Sequence, residues 1–331
     1  MRPRYGMVGA GWGVLLSGAL LCAGCGTVAG RYGPAFPEEW PRRAEVEGVP
    51  FYFQADHQCG PAALAMVFGW NGLDVDPAAL SAEVYTPGRK GTLQYALISG
   101  ARRHGLLACP LLEARVLLEE IAAGRPVIVL MDVGYPWRPR WHYAVAVGYD
   151  LADEVIILHT GKTPASRIPL RVFERGWSRG GSWGLVVLDP TRLPVSAEEG
   201  PFLDAVLGLE QAGQRAVAAT GYRTALARWP DSTVASMGLG NCLHALGDIA
   251  GAEGAFRRAC RQDPALAPAW NNLAQVLFEQ GRLREAAAAA SMAVALGGPL
   301  ADIYAETLAG IEHAREGGRP PAGSSAVGGR N

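Results

Sequence analysis

Cys59 lies in the segment Gln54-Ala55-Asp56-His57-Gln58-Cys59-Gly60-Pro61-Ala62-Ala63-Leu64. The apolar run that follows is rich in helix formers, so the cysteine marks a helix start. Gly60-Pro61 suits the first turn, where proline loses no hydrogen bond. Free backbone N–H groups and the helix dipole at such a position favour the thiolate, the reactive form of the side chain. Gln54 is spaced to lay its side-chain amide beside the Cys59 backbone N–H. Together they would receive the oxyanion of a tetrahedral intermediate. A base is offered by Trp141-His142-Tyr143-Ala144-Val145-Ala146-Val147-Gly148-Tyr149-Asp150, with His142 at the start of an apolar strand. Cysteine and histidine can be far apart in sequence, because the pair need only meet in space. Plainer readings exist for each: Cys59 as a small core residue, His142 as a satisfied core histidine, Gln54 as an ordinary strand amide. That all three occur together favours the chemical reading.

The elements that must position these groups follow from periodicity. Residues 49–54 read as a short strand, and a helix runs through 59–68. Further helices are expected at 93–103 and 113–123. Arg125-Pro126 leads into a buried strand at 127–131, and strands follow at 142–149, 154–158 and 182–188. Helices first and antiparallel strands later define an α+β domain. Residues 134–141, Gly-Tyr-Pro-Trp-Arg-Pro-Arg-Trp, form an aromatic loop leading to His142, placed to make a cleft wall. Of the six cysteines, Cys109, Cys242 and Cys260 read as packing residues. A disulfide between Cys242 and Cys260 stays open. No Cys/His cluster has zinc spacing.

These motifs resemble the bacteriocin-processing (double-glycine) class of papain-like cysteine peptidases and their stand-alone relatives, over residues 47–188. The Gln-x4-Cys-Gly-Pro-Ala-Ala-Leu and His-Tyr-x-Val-x-Val-Gly-Tyr-Asp motifs carry the resemblance. Gly124-Arg125-Pro126 before a strand and Phe173 with Trp177 also fit. The resemblance implies Cys59 as nucleophile, His142 as base and Gln54 as oxyanion residue, with no metal or cofactor. Family members place Asp-Pro after the next strand, and that carboxylate orients the histidine. Here Val155-Ile156-Ile157-Leu158-His159-Thr160-Gly161 puts His159 where Asp would be. His159 is therefore the candidate third member, with the Thr160 hydroxyl as the other acceptor. Either would stabilise an imidazolium less than a carboxylate does. The plainer reading of His159 is a histidine at a strand end. The double-glycine preference of the exporter-linked relatives is not assumed, since no transporter domain is read here, and cleavage at such sites stays open.

Beyond a polar, Pro-containing stretch the composition shifts to alanine and helix formers, and a period of 34 appears. Leu239-Gly240, Gly247, Ala252, Phe256, Ala259 and Pro264 occupy one unit. Trp270, Leu273-Ala274, Leu277, Gly281, Ala286 and Ala293 fall in register in the next. This resembles the tetratricopeptide repeat (TPR). Asn241 and Asn272 stand where carboxylate-clamping TPR proteins keep asparagines, but Met237, Asp302 and Glu306 replace the basic residues of that clamp.

The chain of 331 residues thus reads as an α+β papain-like cysteine peptidase domain followed by an all-α TPR solenoid. The boundaries are 1–25 lipoprotein signal peptide, 26–45 tether, 46–190 peptidase domain and 191–198 linker. Repeats follow at 199–232, 233–266 and 267–300, with a capping helix at 301–316 and a Gly/Pro/Ser-rich tail, read as disordered, at 317–331. Arg2 and Arg4 precede an apolar stretch that ends in Ala23-Gly24-Cys25. This resembles a lipobox, with Cys22 where Leu is usual, and implies lipidation of Cys25 and a membrane anchor in the cell envelope. In a Gram-negative cell, Gly26 would favour the outer membrane. The expected partners are a peptide or protein substrate, a protein bound by the repeats, and the membrane. Net charge of −1 gives no footprint for nucleic acid. Two other readings are a non-catalytic peptide-binding lipoprotein and a TPR assembly factor that keeps the peptidase fold.

Overall fold

A computed structural model describes residues 40–54, 57–135 and 137–317. The residues read as a signal peptide, Cys25 with them, most of the stretch read as a tether and residues 318–331 lie outside them. The peptidase-like part is built on an antiparallel sheet with strand order β4-β9-β5-β6-β7-β8, and β1 pairs with β6 beside that path. The strands are β1 (Arg43–Glu45), β4 (Leu107–Leu111), β5 (Val127–Asp132), β6 (Trp141–Asp150), β7 (Val155–Thr160), β8 (Thr163–Pro169) and β9 (Gly184–Leu188). The hairpin β2 (Tyr85–Thr86) and β3 (Gly91–Thr92) forms a separate two-stranded sheet. The helices are α1 (Cys59–Trp70), α2 (Pro77–Val84), α3 (Gln94–Arg103), α4 (Ala114–Ala122) and α5 (Leu170–Arg179).

Helix α1 is buried along residues 60–68, as its all-round apolar sequence requires. Leu64, Val67 and Phe68 share one core with Tyr143, Val145 and Val147 of β6 and with Leu185 and Val187 of β9. This packing fixes the start of α1 against the start of β6. Two expectations need correction. Residues 43–45, read as tether, form β1 and pair in register with Gly148–Asp150. Residues 49–54 are extended but belong to no strand. They are held by single bonds instead, such as Gln54 N–H to Gly161 O at 2.9 Å.

Seven helices follow: α6 (Glu199–Gln211), α7 (Arg215–Arg228), α8 (Thr233–Ala245), α9 (Ile249–Gln262), α10 (Ala267–Glu279), α11 (Leu283–Leu296) and α12 (Ala301–Arg315). The small residues of the 34-residue register sit where rings approach. A Cβ on Gly238 would collide with the Tyr222 ring, and one on Gly240 with Phe256. Cys242 and Cys260 are both free and buried. No disulfide joins them.

The stretch between the two parts is not a loose linker. Val195 N–H donates to the buried Glu120 carboxylate at 2.7 Å, and Arg125 pairs with the same carboxylate at 3.0 Å. Asp189 N–H meets Asn71 Oδ1 at 3.1 Å, and Arg192 lies over the Trp70 ring. Helix α6 packs on β4 and α3. Gln214 donates to Arg103 O at 2.7 Å, and Thr224 to Pro190 O at 2.8 Å. The first repeat is docked on the peptidase-like sheet.

Candidate active site

Cys59 is the first residue of α1. The residue before it, Gln58, makes no side-chain capping bond, so the helix N-terminus keeps donors for a ligand. His57 takes a left-handed φ of 64°, which is costly for a residue with a Cβ. The tight turn is completed by Gly60. A Cβ there would stand 2.5 Å from Thr92 of β3, so only glycine lets the hairpin close on the helix start. The backbone N–H groups of Tyr143, next to His142, of Gly60 and of Cys59 itself lie near enough to the thiol to favour its charged form.

His142 opens β6, and its Nε2 shares a 2.8 Å hydrogen bond with Thr160 Oγ1. That leaves Nδ1 as the ring nitrogen for the thiol. Burial drives the imidazole down to about 4, and the nearby Arg140 charge pushes the same way. Burial also raises the Cys59 thiol above its usual value. It outweighs the Tyr143, Gly60 and Cys59 N–H groups and the Arg140 charge. The helix-start expectation of a resting thiolate is therefore corrected: desolvation disfavours both charged forms, and the resting pair is neutral thiol and neutral imidazole.

The candidate third member is also corrected. His159 does not meet His142. Its Nε2 bonds Val49 O at 3.3 Å and its Nδ1 accepts Ala165 N–H at 3.1 Å. Its ring stands edge-on to Phe51, and it is only 9% exposed. The reason is strand parity. His159 pairs with Val145, so it shares a face with Val145, while Thr160 shares the face of Ala144 and His142. A one-residue step separates the two roles.

Gln54 is 6% exposed. Its Nε2 donates to Tyr143 O at 3.3 Å, and its Oε1 accepts Gly161 N–H at 2.6 Å. These two partners fix which end is nitrogen and leave one amide hydrogen uncommitted. The glutamine thus ties β6 to the β7–β8 turn beside the cysteine.

Sequence reasoning missed Asp132. This buried carboxylate accepts Gly134 N–H and Arg140 N–H at 2.8 Å each and pairs with Arg179 at 2.8 Å. The two backbone bonds and Arg179 hold it below the usual carboxylate range. It anchors the base of the aromatic loop, whose Tyr135 and Trp137 rings stack at 5.0 Å. Asp-Val-Gly at a strand end is the signal that was available, because an Asp side chain bonds the backbone two residues on. Among the described residues, no group of three or more His, Cys, Asp or Glu is arranged to hold a metal. In the repeats, Asn272 Nδ2 donates to Asn241 Oδ1 at 3.1 Å.

Residues 46–182 match the sequence model of the peptidase C39-like family. Residues 203–267 and 255–288 match tetratricopeptide repeat models. The N-terminal part of this chain is a C39-like peptidase domain of α+β fold, and TPR repeats follow it. Among solved structures, a protein described as a C39-like peptidase from Bacillus anthracis is 19% identical, with a TM-score of 0.39. The alignment covers 44% of this chain and 97% of that one. The peptidase domain of Streptococcus ComA, a bi-functional ABC transporter involved in quorum sensing, is 21% identical over 42% of this chain and 98% of that one, at a TM-score of 0.36. The Yersinia enterocolitica type III secretion translocator chaperone SycD is 20% identical over 35% of this chain and 83% of that one, at 0.34. No curated protein matches the chain.

Proposed function

We propose that this protein is an exported, lipid-anchored cysteine peptidase that cuts a peptide or protein presented with the help of its repeats. The observation that carries the reading is the meeting of an uncapped helix N-terminus at Cys59 with the His142–Tyr143 backbone, inside a C39-like domain. His142 Nδ1 takes the Sγ proton as sulfur attacks the substrate carbonyl. Nε2–H stays on Thr160, which holds the ring in the tautomer the step needs. The oxyanion is received by the free amide hydrogen of Gln54 and the Cys59 N–H. The tetrahedral species expels the amine, which leaves with the proton from His142, and water then hydrolyses the thioester. The repeats dock a protein partner or the substrate itself. Cys25 carries the lipid and holds the protein in the cell envelope, facing the periplasm from the outer membrane in a Gram-negative cell.

One feature favours a second reading, a peptide-binding protein that keeps the fold without turnover. The histidine is oriented by a hydroxyl and not a carboxylate, so the imidazolium is less stabilised. Trapping on a Cys59→Ala variant in native envelopes separates the two. For an enzyme, proteins held by the variant appear as cleaved fragments in wild-type envelopes. For a receptor, they are intact in both. Anchoring is tested with a clickable fatty acid, which marks the wild type and not Cys25→Ser. Equal labelling of both would place the lipid elsewhere.

A further inference from the structure

The hairpin that carries His142 also carries a cation that is unpaired among the described residues, in register on the same face. The β5–β6 ladder runs Met131↔His142 and Asp132↔Trp141. It continues one step further, with Val133 N–H to Arg140 O at 2.9 Å. Arg140 is therefore still in extended register, and the two-residue pleat puts its side chain on the face of His142, about 7 Å along the strand. Trp141 points the other way and is 54% exposed.

The backbone at Arg140 is fixed. Its N–H is bound by the buried Asp132 carboxylate at 2.8 Å. That carboxylate does not neutralise Arg140, because its charge is paired with Arg179 on Oδ2. Among the described residues, the Arg140 guanidinium makes no ion pair and no hydrogen bond. Three other arginines of the domain are paired, Arg103 with Glu83, Arg125 with Glu120 and Arg167 with Asp153. On the far side of Gln54, Lys162 lies 5.3 Å from the Phe53 ring. It too has no carboxylate partner among the described residues. A fixed backbone and an exposed guanidinium place a cation beside the cysteine and the histidine.

We infer that Arg140 reads the substrate: its guanidinium receives a carboxylate carried within one or two residues of the scissile bond, so acidic peptides are the preferred substrate class. The inference rests on the peptidase reading above. Arginine suits the role because its planar fork binds a carboxylate through two parallel hydrogen bonds. The carboxylate comes from an Asp or Glu side chain or from a free C-terminus. Arg140 is also the charged group whose field reaches both Cys59 and His142.

The test uses the full chain and peptidyl chloromethyl ketones that differ only in Glu or Gln beside the electrophile. A second pair differs in a C-terminal acid or amide. Second-order rates of Cys59 alkylation are read by mass spectrometry. The acid-to-neutral ratio cancels any effect on thiol ionisation, which acts equally on both members of a pair. For the wild type, one pair should show a ratio of roughly five to ten, the scale of an ion pair near a protein surface. Which pair shows it identifies the source of the carboxylate. The ratio should drop to about one in Arg140→Gln, fall below one in Arg140→Glu and lie between wild type and Arg140→Gln in Arg140→Lys, which keeps the charge but loses the fork. Ratios near one in the wild type, or unchanged ratios in Arg140→Gln, overturn the inference and leave the peptidase reading standing. If no probe modifies Cys59, the peptidase reading falls and the inference falls with it.

Discussion

The two parts of this molecule use irregularity in opposite ways. In the repeats each helix pair repeats the last, and small residues of the register such as Gly240 sit under rings. The repeats bury polar groups too, such as Glu253, but bond them to side chains of the same array, here Arg257, Gln280 and Arg282. Around Cys59 the local rules are broken together. His57 holds a left-handed φ, Gly60 closes against Thr92 where no Cβ would fit, and Gln54 and Asp132 are buried polar groups. Buried polar side chains persist only when bonded, and both are bonded to backbone across elements. Such exceptions concentrate where a site must be held in place.

The boundary between the parts is the first place to break the comparison. Helix α6 covers β4, and Phe202 lines the junction with Cys109 and Leu111. A chain cut after residue 198 should lose on the order of 3 kcal/mol or more of stability, the scale of removing a large buried side chain. A chain cut after residue 232 keeps the docked pair α6–α7 and should melt much nearer the full protein. Equal melting of both truncations in thermal unfolding would make the peptidase domain independent of the repeats.

Gly60 sharpens the contrast between fold and site. Gly60→Ala forces Thr92 away from the helix start. It should cut turnover by about a hundredfold, because a displacement near 1 Å at the reacting atom costs that much. Far-ultraviolet circular dichroism should be unchanged. Retained turnover would show that the hairpin does not position Cys59.

Thr160 and His159 form a matched pair of smaller tests. Thr160→Val removes the partner of His142 and should lower kcat about tenfold with little change in KM. His159→Ala should leave kcat unchanged and cost about 1–2 kcal/mol of stability, from its bonds to Val49 and Ala165. The reverse pattern would restore His159 to the mechanism. The pH dependence follows from the same geometry. Burial lowers the imidazole to about 4 and raises the thiol, so the neutral pair spans acid to alkaline pH. Iodoacetamide alkylation of Cys59 should climb above pH 9 with no plateau near neutrality. A plateau would mean a preformed ion pair.

Much of this was legible in the sequence. The 34-residue period located the repeats, since each unit must bury the same face against its neighbour. The Gln-x4-Cys-Gly-Pro motif and the His142 strand marked the starts of α1 and β6, which pack on one core. What was not legible depended on register. Whether His159 or Thr160 faces His142 turns on strand parity, and β6 carries a bulge between Ala146 and Gly148 that no pattern reveals. The ionisation of the thiol was misjudged for a related reason: the helix start is local, whereas the burial that opposes it comes from distant elements. Strand β1 was missed because three residues paired only with β6 leave little periodicity to read.

The most direct measurement of the central claim maps the adduct of a neutral peptidyl electrophile over the described cysteines. Cys109, Cys242 and Cys260 are held by burial near 12, 12 and 11, and no histidine is bonded at any of them. The account predicts modification at Cys59 alone, its loss in His142→Ala, and no cleavage of the natural substrate by Cys59→Ala. Equal modification of all four thiols, or undiminished cleavage by Cys59→Ala, would contradict it.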